Sequence, residues 1–282
     1  ARSSLLAGAL TLWAYFLHAK CEGARGPARA LFRAGSLLAF VAALLSKEIA
    51  IVFPALLLAE ALLRRRGYLE AVPPALVAAL YLLARRQLLG AAVMDFAAHE
   101  ASVARADPGS GGARPILHNL FTQARVVAAY FAMVLFPRGL CVDRYVRVSR
   151  SPFEPGVLLG GAAILALLLA AFRLRRRRPL ASFGILWFFF ALAPTSSVIP
   201  LNVVMNEHRL YLPCVGLALG FAPALLRLSR PVLGAAAVTL LALTLQRNAD
   251  WSDPVRLWES AVRVSPESAG AWNSLGVQLS AR

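Results

Sequence analysis

Gly156-Val-Leu-Leu-Gly-Gly-Ala-Ala-Ile-Leu-Ala-Leu-Leu-Leu-Ala-Ala-Phe172 carries no polar side chain and runs directly into Arg173-Leu-Arg-Arg-Arg-Arg178. An apolar run of this kind approaches the roughly 20 residues a helix needs to cross a bilayer. The arginine block at its end marks one side of the membrane, because short loops rich in Lys and Arg stay cytoplasmic. That junction decides the fold class: all-α, a polytopic membrane helix bundle with its arginine clusters on one side. Composition points the same way. Of 282 residues, 59% are hydrophobic and 16% charged, and the mean hydropathy is +0.64, more apolar than the core of a soluble domain requires. The net charge of +16 bunches at the ends of apolar runs instead of forming a basic face, so the expected partner is membrane lipid and not nucleic acid.

Working outward, residues 3–17 end a first span and residues 20–33 form a basic cytoplasmic loop with Lys20, Arg25, Arg29 and Arg33. Residues 34–63 are long for one span and short for two; two short helices with Lys47 and Glu48 at an outer turn fit best, returning to Arg64-Arg65-Arg66. Glu60 lies four residues before Arg64, within reach on one helix face. Residues 68–89 lead out again. If 116–136 crossed the membrane, the 173–178 arginines would fall outside, against the charge rule. The expected arrangement therefore keeps 90–155 outside, with 116–136 re-entrant or lying along the interface. Residues 180–193 go out, 194–213 stay out, 214–226 return to Arg227 and Arg230, and 231–245 go out for the last time.

The membrane domain is thus expected over 1–246, and 247–282 is a different kind of sequence. Asp253-Pro254 starts a helix. Trp272-Asn-Ser-Leu-Gly-Val-Gln-Leu279 follows the opening W-x2-L-G-x2-Y of a tetratricopeptide repeat, with Leu279 at the aromatic place. This predicts the truncated start of an extracytoplasmic α-solenoid, which needs further repeats to bury its faces. The chain opens inside an apolar run and stops within a repeat, as a piece of a longer protein would.

Glu207-His208-Arg209, inside Asn202-Val-Val-Met-Asn-Glu-His-Arg-Leu-Tyr-Leu-Pro213, place three ionisable groups at a membrane margin, where such groups mark a site. Cys21, Cys141 and Cys214 show no metal-ligand spacing and cannot all pair. His18, His99 and His118 have no partner at ligand spacing. No His-Glu-x-x-His and no glycine-rich phosphate loop occurs, so no cofactor is assigned and a soluble nucleotide donor is not expected.

Several motifs in fixed order carry a resemblance: Leu44-Leu-Ser-Lys-Glu48, Leu140-Cys-Val-Asp143, Glu207-His-Arg-Leu-Tyr-Leu-Pro213, and Arg247-Asn-Ala-Asp-Trp251 leading into the repeat. Together the chain resembles the transmembrane and tetratricopeptide-repeat O-mannosyltransferases and their bacterial relatives. The resemblance implies an integral membrane glycosyltransferase, in a bacterial inner membrane, that moves a sugar such as mannose from a polyprenyl-phosphate donor to a protein or glycan acceptor on the extracytoplasmic side. Animal members read Glu-Arg-Val-Leu-Tyr-Leu-Pro, so their arginine aligns with His208 and Arg209 is displaced by one. The class's catalytic acid would precede Ala1, so no catalytic residue is assigned and a role for a divalent metal stays open. In such an enzyme Arg209 would clasp the donor phosphate in bidentate fashion, Lys47 would supply a point charge, His208 a donor or proton carrier, and Glu207 a carboxylate that orients them. Glu48 joins this donor-phosphate set. Arg125, Asp143, Arg144 and Tyr211 are candidate cavity-lining residues. The bland accounts are that Glu207 and Arg209 pair and cap the next helix, that Lys47 and Glu48 are solvated, and that Asp143 and Arg144 form a surface ion pair. The competing function is a non-catalytic membrane scaffold or assembly factor that binds partners through its repeats.

Overall fold

The computed structural model describes residues 2–65, 67–89, 115–196 and 203–282. Most of the loop beginning at Gly90, with His99, lies outside the described residues, as do Arg66, Pro200 and Asn202. Within them the chain is all-helical: α1 (Arg2–Gly23), α2 (Gly26–Ser46), α3 (Phe53–Arg64), α4 (Val72–Leu89), α5 (Ile116–Leu135), α6 (Pro155–Leu174), α7 (Pro179–Leu192), α8 (Tyr211–Leu225), α9 (Arg230–Trp251), α10 (Pro254–Val264) and α11 (Ala269–Ser280). Four helical stretches are long and apolar enough to cross a membrane: α2, Tyr68–Leu88, α6 and α9.

The expected basic loop over 20–33 shrinks to Ala24-Arg25 between two helices. Gly26 has φ +56°, a conformation open to glycine, and Pro27 preorganises the first turn of α2, so the chain reverses within two residues. Most of these charges find partners on the helices and so require no loop, while Arg25 stays exposed at the reversal. Arg29 and Arg33 donate to Glu70, Arg64 pairs with Glu22 and, at 2.7 Å, with Glu60, and Lys20 lies over the Phe16 ring. Glu60 also accepts from Tyr15 Oη at 2.9 Å.

At the other end α2 stops at Lys47, whose extended backbone leads through a 3-10 turn (Glu48–Val52) into α3. Here the Lys47 Nζ donates to Ser4 Oγ at 2.6 Å, and Arg85 reaches Glu48 at 3.4 Å. The bundle thus has an arginine end and a Lys47 end.

α7 and α8 approach each other backbone to backbone. Gly184 of α7 packs on Gly216 and Gly220 of α8, a small-residue seam of the kind that lets membrane helices approach backbone to backbone. Trp187 fills the space beside it, fully buried, and donates its indole N–H to the Leu212 carbonyl at 2.9 Å. Tyr15 of α1 packs edge-on to Trp187 and ties this pair to the α1–α3 half. α8 begins at Tyr211, earlier than the sequence predicts; Pro213 falls in its first turn, where a missing N–H costs nothing.

Val126, Val127 and Tyr130 on α5 enter one core with Phe188, Leu192, Leu210 and Leu217. Three of its polar residues meet loops at the Lys47 end. Thr122 Oγ accepts from Ser149 N, Gln123 reaches the Val204 carbonyl, and Tyr130 Oη bridges the backbone N–H and carbonyl of Asn206.

α9 runs to Trp251, past the predicted end of the last span at Leu245, and buries none of its side chains. α10 and α11 form an antiparallel hairpin closed by Arg282 on Asp253 at 2.6 Å. Asp253 caps α10 by accepting from Val255 N, and Ser268 caps α11 by accepting from Ala271 N. The hairpin docks on the 139–145 loop, where Asp143 accepts from Ser268 Oγ at 2.8 Å and Tyr145 N donates to Ser265 Oγ.

Candidate functional site

Asn206 fixes the site's geometry. Its backbone is held by Tyr130, and its side-chain oxygen accepts from His208 N, capping the 3-10 turn Glu207–Leu210 that feeds α8. The three ionisable residues of this turn then point different ways. Arg209 is buried at 7% exposure, donating to the carbonyls of Thr195 at 3.2 Å, Val204 at 3.3 Å and Val203 at 2.8 Å. Its fork therefore ties Thr195 to Val203 and Val204. Glu207 accepts from Cys141 N and lies 3.8 Å from the Arg144 guanidinium. Burial raises the Glu207 pKa, an effect opposed by the Cys141 hydrogen bond and the charges of Arg247 and Arg144.

His208 and Glu207 border the polar end of a groove of about 630 Å³ between the start of α1 and α8. Ser4 and Leu5 form one wall, and Tyr211, Cys214, Val215 and Ala218 the other. The α8 residues follow i, i+3, i+4, i+7 spacing, so they make one helix face about 10 Å long. Lys47, on Ser4, stands at the mouth, close enough for its charge to act on His208. The groove depends on close approach of α1 and α8: a Cβ on Gly8 would lie 2.7 Å from the Tyr211 ring.

Of the residues singled out in the sequence, the structure brings Lys47, Glu207, His208 and Tyr211 around one groove. Arg209 faces the loop carbonyls instead, and Glu48 is turned to Arg85. Arg125 donates to Ser149 Oγ at 2.8 Å, away from the groove. Asp143 and Arg144 do not pair with each other, because Asp143 serves Ser268 while Arg144 donates to the Gly139 carbonyl and faces Glu207. Sequence reasoning missed Ser4, Leu5, Cys214, Val215 and Ala218. Helical spacing on α8 signals only Cys214, Val215 and Ala218, any buried face would show the same spacing, and nothing in the sequence signals Ser4 and Leu5.

No family model, curated protein or solved structure matches this chain. Geometry and chemistry alone carry the assignment. Among the described residues no three His, Cys, Asp or Glu side chains gather into a metal site. The arrangement suits an amphipathic ligand, with an apolar chain along α8 and an anion between Lys47 and His208.

The electrostatics give a pH test. Partial enclosure of the imidazole, then the cations Lys47 and Arg209, lower the His208 pKa below its usual 6.5. The unfolded chain therefore takes up this proton first as pH falls through 6.5, and stability declines until the folded protein protonates too. Thermal unfolding of the wild type at pH 7.5 and pH 5.5 is expected to show a loss that His208→Gln reduces. An identical loss in the variant contradicts the assigned environment.

Proposed function

We propose that this chain belongs to an integral membrane glycosyltransferase that takes a sugar, mannose being one candidate, from a polyprenyl-phosphate donor. The acceptor is a protein or glycan on the side of the membrane opposite the arginine clusters. The observation that supports this is the apolar groove ending at Lys47 and His208, since a polyprenyl phosphate is an apolar chain with one anionic end. As the sugar leaves, negative charge develops on the phosphate, and a fixed cation such as Lys47 stabilises it. His208 supplies a hydrogen bond, and Glu207, anchored by Cys141 N, fixes the turn that carries it. Arg209 acts indirectly by building the turn that presents both. In this reading α5 lies along the interface, and the α10–α11 hairpin opens a tetratricopeptide array that presents the acceptor.

The exposed Trp272, Val277 and Leu279 of α11 support the competing reading of a scaffold that holds partners without chemistry. Sugar transfer from a polyprenyl-phosphate donor to a peptide acceptor, by the full-length protein, separates the two. Lys47→Gln is expected to lower turnover by about tenfold or more, with Lys47→Arg retaining part of it. Absence of transfer by wild type favours the scaffold, and unchanged turnover in Lys47→Gln removes Lys47 from the site.

A further inference from the structure

The two halves of the arginine end differ in the carboxylates that they hold. In the α1–α4 half three carboxylates, Glu70, Glu22 and Glu60, pair with Arg29, Arg33 and Arg64, while Arg25 and Arg65 make no ion pair among the described residues. In the other half the α6–α7 turn carries Arg173, Arg175, Arg176, Arg177 and Arg178, and the α8–α9 turn carries Arg227 and Arg230. Among the described residues none of these seven has a carboxylate partner. None is available nearby in sequence, because no Asp or Glu occurs over 155–206 or 208–249. Arg175 is held by its own element, stacked 3.4 Å over the Phe172 ring and donating to the Phe172 carbonyl. The others point outward and are exposed.

The two turns are neighbours. α6 and α7 are tied by Ser182 Oγ on the Ala171 carbonyl at 2.8 Å, and Gly220 of α8 packs against Ala181 of α7. Two helices start from this patch, α7 at Arg178 and α9 at Ser229, and neither has a side-chain cap. Their first-turn N–H groups and positive dipole ends face the same region as the arginines. Seven like charges and two open helix starts repel one another unless an external anion joins them. The turns also stand at the ends of α6 and α9, both long and apolar enough to cross a bilayer. The anions dense at that depth are phospholipid headgroups.

We infer that the α6–α7 and α8–α9 turns form one binding surface for the headgroups of anionic phospholipids. The phosphodiesters accept from the arginines and from the uncapped starts of α7 and α9, and the acyl chains lie along α6 and α9. This surface is at the opposite end from the Lys47 groove and does not depend on the glycosyltransferase reading.

The test uses the chain purified in a neutral detergent, titrated with phosphatidylglycerol, phosphatidylcholine or inorganic phosphate, and read by thermal unfolding and by lipid retained in native mass spectrometry. Phosphatidylglycerol is expected to raise the unfolding temperature and to be retained, with little effect from the other two. Replacing Arg173, Arg176, Arg177, Arg178 and Arg227 together by Gln is expected to weaken retention by about tenfold or more, and replacing the same five by Lys to keep most of it. Arg29→Gln with Arg33→Gln, both already paired with Glu70, leaves retention unchanged. Equal shifts with phosphatidylcholine, an equal shift with inorganic phosphate, or undiminished retention in the five-fold Gln variant each overturn the inference. Should that variant fail to fold, the comparison of lipids on the wild type still decides.

Discussion

Gly184→Leu is expected to force α7 and α8 apart and to lower stability by about 3 kcal/mol or more. A Cβ on Gly184 would lie 2.7 Å from Gly220 Cα and closer still to the Gly216 carbonyl. Both neighbours are backbone atoms and cannot swing aside as a side chain would. Separating the helices also breaks what depends on their approach, the Trp187 hydrogen bond to Leu212 and the contact of Tyr15 with the Trp187 ring. Gly161→Leu is the matched control, because a Cβ there meets nothing within 4 Å. Thermal unfolding in detergent reads the difference: a large drop for Gly184→Leu and almost none for Gly161→Leu. Equal stability of the two variants contradicts the seam.

Arg209→Ala is expected to cost about 2–4 kcal/mol, since three carbonyls lose a charged donor at once. The loop that they hold is the one that leads through Asn206 into Glu207 and His208, so the damage should reach the groove without any direct contact. Hydrogen exchange across 203–210 is expected to speed up in step with the fall in stability. Arg209→Lys recovers only part, because an ammonium cannot span carbonyls that a planar fork reaches together. Loss of ligand binding with stability and exchange unchanged would instead make Arg209 a direct phosphate ligand.

These two residues show where the sequence is legible and where it is not. The all-helical fold and the positions of the reversals at Lys47 and at the arginine clusters follow from local hydropathy and charge, which the sequence states directly. The grouping of Lys47 with Glu207 and His208 was also accessible, because each occurs at a turn between apolar runs. The direction of Arg209 was not. A guanidinium at a membrane margin suits a phosphate, and only the fold brings the carbonyls of Thr195, Val203 and Val204 to it instead. Asp143 and Ser268 are 125 residues apart, a pairing no spacing rule reaches. The Gly216-x-x-x-Gly220 spacing is visible in the sequence, but its meaning depends on Gly184 facing it across another helix. The reversal at Gly26 was tighter than expected because partners for Arg29, Arg33 and Arg64 come from three different elements.

The account turns on whether the groove beside α8 takes a lipid phosphate. Cys214 lines that groove and is half-buried, while Cys21 and Cys141 are buried, so one native thiol reports on it. The decisive measurement is the rate of Cys214 alkylation by N-ethylmaleimide in the purified protein with and without a polyprenyl phosphate, using Cys214→Ser to confirm the site. The account predicts that the lipid phosphate slows labelling several-fold, that the same polyprenol without phosphate does so much less, and that Lys47→Gln abolishes the difference. Equal protection by both lipids, or none by either, would contradict it.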